Sequence, residues 1–364
     1  MTSQLHSEIF EQPAVIRRLL ELETDRVAGI AQQLAAHDIR YVVIAARGTS
    51  DNAARYGQYI FGAQNRLTAA LATPSMYSVY KLPPRLDGAL VIGISQSGQS
   101  PDIVGVLQEA RRQGAPTIAL TNDPQSPLAT AASHVIALHA GEERSVAATK
   151  TYTAQLTALA LLSSAMRASA MQASAMQASA MQASRMTGAS HAELDAVPAA
   201  MEQALQSEAH TLAAAARIAS SDRCIVVGRG FNYATTFETA LKIKELSYMH
   251  AEPYSSADFM HGPIAVVESG FPVIIVALGE TTRSELAGLG DSLRGHGANL
   301  VMLSDDASLC QPADSWLPVP GGLPEWLTPL VAIVPGQLLA YHLTLARGSD
   351  PDRPRTIHKV TLTH

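Results

Sequence analysis

A chain of 364 residues that is 47% hydrophobic and 16% charged carries the apolar material for a sizeable core, which excludes wholesale disorder, and at about 150 residues per domain it is long enough for two. Its 26 Lys+Arg against 32 Asp+Glu leave a formal net charge of -6, with no basic run interleaved with aromatics, which argues against a nucleic-acid partner. Two cysteines, Cys224 and Cys310, exclude a disulfide framework and predict a reducing, cytoplasmic setting.

Residues 1–37 read as an amphipathic helical segment with Ile16, Leu19, Leu20, Leu22, Val27 and Ile30 as core positions. Early acidic residues and the lack of an apolar h-region argue against a signal peptide. From residue 38, YVVIAA (41–46), ALVIGI (89–94), TIALT (117–121) and HVIAL (134–138) read as buried strands alternating with helices. Continuous apolar strands of this kind belong to a parallel sheet covered on both faces. A first α/β unit over 38–165 follows. CIVVG (224–228), PVIIVAL (272–278) and NLVML (299–303) repeat the pattern and predict a second unit over 205–346. VIAARGTSDNA at 43–53 and IVVGRGFNYAT at 225–235 both place Arg-Gly at the end of the first strand, so the halves read as a duplication or as a chance likeness of two buried strands.

Between the halves, 166–204 reads as a connector built on a Met/Ala repeat from Met166 to Arg185. Its five-residue period advances about 140° per repeat around a helix, which leaves no single buried face. It reads as an extension of a helix that begins near Lys150, with a Met-rich binding surface as the sharper alternative. The apolar stretch 329–346 is broken by Pro335, Gly336, Gln337 and His342, which argues against a membrane span. Residues 347–364 form a C-terminal tail.

Three segments carry chemistry. Ile94-Ser95-Gln96-Ser97-Gly98-Gln99-Ser100-Pro101-Asp102 leaves a buried strand and enters a helix, with Ser100 suited to the N-cap and Pro101 to the first turn. Hydroxyls beside the free N–H groups of a helix N-terminus suit a compact anion, phosphate above all, while the spacing matches neither a P-loop nor a dinucleotide loop. Thr49 and Ser50, just after Arg47-Gly48, belong beside it at the carboxyl end of the neighbouring strand; a ligand-free capped turn is the plainer reading. Second, Glu238, Lys242 and Glu245 fall on one helix face, either as a solvated salt-bridge row or as a proton-transfer group at a cleft. Third, His261 before Gly262-Pro263 reads as an acid–base group or as a core histidine, whereas His250, Glu252 and His261 lack any metal-ligand spacing. Read alone, Lys359 in the basic tail 353–360 is a solvated end.

ARGTSDNA, ISQSGQSPD, AGEERSVAATKTY (140–152), GRGF, ALKIKELSYMHAE with a following HGP, and DPDRPRTIHKV resemble, in order and approximate spacing, the motifs of the sugar isomerase (SIS) family. The resemblance covers about residue 10 to the end and implies an α/β fold of two tandem SIS subdomains, each a flavodoxin-like three-layer sandwich. It implies a sugar-phosphate pocket at Ser50, Ser95, Gln96, Ser97 and Ser100, and a sugar-contacting backbone at Val146. Ala148 stands where the family has Ser. It further implies Glu245 as the proton-transfer base, Lys242 as a catalytic-site lysine, His261 for ring opening, supplied across a homodimer, and Lys359 as a Schiff-base lysine. No metal or organic cofactor is implied. Within the family the motifs are similar to the isomerase portion of glutamine–fructose-6-phosphate aminotransferase and closer to stand-alone glucosamine-6-phosphate deaminases. With no early Cys and a start almost at the isomerase portion, the expected reaction is glucosamine 6-phosphate plus water to fructose 6-phosphate plus ammonia. The alternatives are an aminotransferase-like isomerase, an enzyme for another amino sugar phosphate, and a non-catalytic sugar-phosphate sensor.

Overall fold

The computed structural model describes residues 3–177 and 193–356. In chain order the first half holds α1 (Gln4–Leu34), β1 (Tyr41–Ala45), α2 (Thr49–Asn65), β2 (Thr68–Leu71), α3 (Pro74–Ser78), β3 (Ala89–Ile94), α4 (Pro101–Arg112), β4 (Thr117–Thr121), α5 (Pro127–Ala131), β5 (His134–Ala137) and α6 (Lys150–Gln177). The second half holds α7 (Val197–Leu205), α8 (Glu208–Ile218), β6 (Arg223–Gly228), α9 (Tyr233–Ser247), β7 (His250–Ser255), α10 (Ser256–Met260), β8 (Pro272–Ala277), α11 (Glu280–Gly295), β9 (Asn299–Ser304), β10 (Ser315–Pro318) and α12 (Thr328–Ala346). The chain divides into two compact units: one of Ala14–Glu143, Lys150–Ala196 and Val360–His364, the other of Met1–Pro13, Arg144–Thr149 and Val197–Lys359.

The first unit is a parallel five-stranded sheet in the order β2-β1-β3-β4-β5. All six residues of β3 are buried, as a strand covered on both faces requires. One face packs Val43 and Val91 against Ile103, Leu107 and Leu128 from the helices, each worth about 1.5–3 kcal/mol when fully buried. The second unit repeats the plan in the order β10-β9-β8-β6-β7. Numbered within its own half, each sheet runs 2-1-3-4-5, so the structure favours duplication over chance likeness. Both sheets reverse direction between their first and third strands, where α/β folds present their binding crevice.

Departures from the sequence expectations have identifiable causes. Leu22 is 56% exposed; the helical period from Ile16, Leu19 and Leu20 continues to Glu23, Val27 and Ile30, and the buried place falls to Glu23. Its carboxylate lies 2.8 Å from His139 Nε2, which is how a charged side chain occupies an apolar face. Strands β2, β7 and β10 were not read from sequence: each sits at a sheet edge with a single partner, and β7 and β10 contain Pro253 and Pro318, which an edge strand tolerates. Helix α6 begins at Lys150 and runs to Gln177, into the repeat; the remainder of the repeat lies outside the described residues. The segment Glu325–Ala346, which is long and apolar enough to cross a membrane, is 89% buried over its most apolar window, as a core helix of the fold. Burial pushes the free Cys224 thiol up to about 12.

Candidate active site

In the first unit β1 and β3 are parallel neighbours in a register that sets Ala45 opposite Gly93, so both strands release the chain at the same level. Beyond β1, Gly48 (φ 53°) is the N-cap of α2, which opens with Thr49 and Ser50. Beyond β3, Ser95 to Ser100 turn into α4 with Ser100 at the N-cap, Pro101 after it, and no capping hydrogen bond from the Ser100 hydroxyl. The turn is fixed by its backbone: Gly98 N–H donates to Ser95 Oγ at 3.1 Å, and Asn122 N–H and Leu128 N–H donate to the Gln96 and Gly98 carbonyls at 3.0 and 3.1 Å. Gly98 has φ +63°, and a Cβ there would stand 2.1 Å from Ser126 Oγ, so no other residue fits.

Two helix N-termini and the residues Ser50, Ser95, Ser97 and Ser100 thus follow the carboxyl ends of the neighbouring strands β1 and β3. Ser50 and Ser95 are buried, Gln96 and Ser97 half-buried. Such a cluster offers donors and positive helix ends to a compact anion. Two acidic groups border it, and both are restrained. Asp102, 1% exposed, takes the Arg47 Nε–H at 2.8 Å, while burial raises the Asp51 pKa against the opposing pull of Arg55 and Arg47.

In the second unit α9 presents Glu238, Lys242 and Glu245. A solvated salt-bridge row is excluded: Glu238 is 0% and Lys242 1% exposed, and of the three Glu245, at 25%, is the one with access to solvent. Lys242 Nζ lies 2.6 Å from Glu245 Oε2 and 3.4 Å from Glu238 Oε1. An amine held between two carboxylates and away from water fixes the accessible carboxylate in place. His261 is exposed at the C-cap of α10, before Gly262 at φ 141°, so it is no core histidine. His250 and Glu252 are exposed on β7, and among the described residues no three His, Cys, Asp or Glu side chains are grouped to hold a metal. Lys359 lies outside the described residues.

Val146 and Ala148 are half-buried in the segment Arg144–Thr149, which is tied down by a residue that sequence reasoning missed. The Glu8 carboxylate, 4% exposed on α1, accepts the N–H of Arg144 at 2.5 Å and of Ser145 at 3.1 Å as well as the Ser145 hydroxyl. One turn further along α1, Gln12 Nε2 donates to Gln337 Oε1 at 2.8 Å. Polar residues four apart on an otherwise apolar helix face were the available signal. The turn after β8, equivalent to the hydroxyl turn of the first unit, is closed: Thr281 Oγ donates to Glu325 Oε2 at 2.7 Å, and a Cβ on Gly279 would meet Glu325 at 2.5 Å. There the protein's own carboxylate occupies the start of the helix.

The SIS domain model matches residues 37–165 and 217–347. Glutamine–fructose-6-phosphate aminotransferase (isomerizing) of Pyrococcus horikoshii is 33% identical over 358 residues; the match takes in 97% of this chain and 56% of that protein, so the chain spans little more than half of that relative's length. Among solved structures, one from Silicibacter pomeroyi described as a candidate phosphosugar isomerase has a TM-score of 0.84 and 34% identity, over 96% of this chain and 100% of its own. The C-terminal domain of glucosamine-fructose-6-phosphate aminotransferase from Francisella tularensis has a TM-score of 0.87 and 25% identity, over 97% and 98%.

Proposed function

The chain belongs to the SIS domain family, and from that membership we propose that it is an isomerase of amino hexose 6-phosphates that interconverts fructose 6-phosphate plus ammonia with glucosamine 6-phosphate. The observation that carries the reading is the accessible Glu245 carboxylate gripped by the buried Lys242, and the hydroxyl-bearing turn between β3 and α4 supports it.

In this reading Ser50, Ser95, Gln96, Ser97 and Ser100 take the 6-phosphate, the Val146 backbone contacts the sugar, and His261 assists ring opening. Glu245 then removes the proton from C2 of the open amino-aldose, and the electron pair forms a C1–C2 double bond. Lys242 stabilises negative charge developing on the C1 oxygen. Returning the proton to C1 leaves a C2 imine; water adds to it and ammonia departs, giving the ketose phosphate. Lys359 is assigned the ketose, as a Schiff base or as an orienting cation. The homologues' names favour the isomerase portion of the aminotransferase over a dedicated deaminase, so the deaminating direction stands as the second reading; both use the same proton shift. The free thiols of Cys224 and Cys310 are in keeping with a reducing, cytoplasmic setting.

The test is to supply the purified protein with glucosamine 6-phosphate and, separately, with fructose 6-phosphate plus ammonium, following ammonia and amino sugar. Glu245→Gln should cost at least a thousandfold in turnover, roughly the share of a positioned base and the charge it carries, with fructose 6-phosphate affinity kept within about threefold. Undiminished turnover in that variant overturns the assignment, and the faster direction decides between the two readings.

A further inference from the structure

Gln155, on α6, is 1% exposed, and its Nε2 lies 3.0 Å from the hydroxyl oxygen of Ser50, itself 9% exposed. Its other polar atom, Oε1, is buried and has no hydrogen-bond partner. We propose that Gln155 is a positioning residue that presets the Ser50 hydroxyl as a donor toward a fully ionised phosphate, an inference that rests on the sugar-phosphate reading above.

The argument is one of hydrogen-bond arithmetic. A serine hydroxyl has one proton and two lone pairs. By donating an amide N–H to Ser50, Gln155 occupies the oxygen from behind and forbids the hydroxyl from spending its proton on the amide. That proton is left to point at the strand-end crevice where Ser95, Ser97 and Ser100 gather. A dianionic phosphate oxygen accepts only, so a ring of hydroxyls serves it only when each is turned to donate. Gln155 does this at a cost, because a buried acceptor without a partner destabilises the fold. A core position chosen for stability alone would carry an apolar side chain of the same length. Retaining an amide with one polar atom unmet at that position points to a task in the ligand site.

The test combines stability with a double-mutant cycle on the full chain. Gln155→Met should melt at or above the wild-type temperature and yet bind fructose 6-phosphate about tenfold more weakly, the size of one charge-assisted hydrogen bond. Ser50→Ala should cost about as much, and Q155M/S50A should bind no more weakly than S50A alone, because Gln155 acts only through that hydroxyl. Gln155→Glu, which keeps the shape but reverses the donor, should bind more weakly than Q155M and serves where Q155M fails to fold. Wild-type affinity in Q155M or Q155E, or costs that multiply in the double variant, overturns the proposal while leaving the sugar-phosphate reading intact. A wild-type protein that binds no hexose 6-phosphate overturns both.

Discussion

Lys242 shows why spacing alone leaves a role undecided. Acid, base and acid at four- and three-residue intervals describe a surface row as well as a reaction centre, and only burial separates them. With Glu238 at 0% exposure and Lys242 at 1%, removing the ammonium strands a charge in the interior. Lys242→Met is expected to cost about 3–5 kcal/mol in urea unfolding. The double variant K242M/E238L, in which no buried charge is left alone, is expected to regain most of that stability without regaining turnover. A single variant as stable as wild type would show that Glu238 finds another partner, whereas activity in the double variant would remove Lys242 from the chemistry. The identity of these residues was legible in the sequence, as was the hydroxyl series Ser50, Ser95, Ser97 and Ser100. The partners that hold them, Gln155 for Ser50 and Glu8 for the Val146 segment, lie 105 and 136–137 residues away, at separations no local pattern reports.

At the scale of elements, the turn between β3 and α4 is where local sequence and local structure agree most closely. Ser100 and Pro101 mark the helix start, and Asp102 and the pair Arg111-Arg112 sit at the dipole ends that favour their charges. The turn has one position with no freedom, Gly98, where both φ and the nearby Ser126 side chain exclude a methyl group. Gly98→Ala should raise KM for the sugar phosphate more than tenfold through displacement of the Ser95 and Ser97 hydroxyls, with a smaller effect on kcat. Adding Ser126→Gly should recover part of the loss by clearing the clash, though not the strain of a positive φ. Equal binding by G98A and wild type would mean that the turn does not touch the ligand. Central strands were readable because burial on both faces writes itself as an unbroken apolar run. Edge strands β2, β7 and β10 were not, because their short, mixed stretches carry no unbroken apolar run, unlike the edge strand β5, which was read from HVIAL.

For the whole molecule, the two halves share the strand order 2-1-3-4-5, and yet they present different chemistry at the same topological place. In the first, hydroxyls line the turn; in the second, Glu325 closes it. The same plan thus supplies two strand-end turns with different linings, hydroxyls in one and the Glu325 carboxylate in the other. We propose that His261, exposed at the C-cap of α10, serves the neighbouring chain of a homodimer. If so, co-expressing the inactive variants Glu245→Gln and His261→Asn should restore about a quarter of wild-type activity, since half of random dimers are mixed and each mixed dimer carries one intact site. No recovery would place both residues in one chain's site. What the amino-acid order settled by itself was the α/β class, the two-unit plan, the hydroxyl-bearing turn before a helix and the helix face with its three charges, because each is written in contacts between near neighbours or in a strand's own periodicity. Which charges are buried, which polar residue holds which hydroxyl, where the edge strands pair and which crevice is shut were decided only by tertiary packing, because desolvation and hydrogen bonding act between side chains that the chain order leaves far apart.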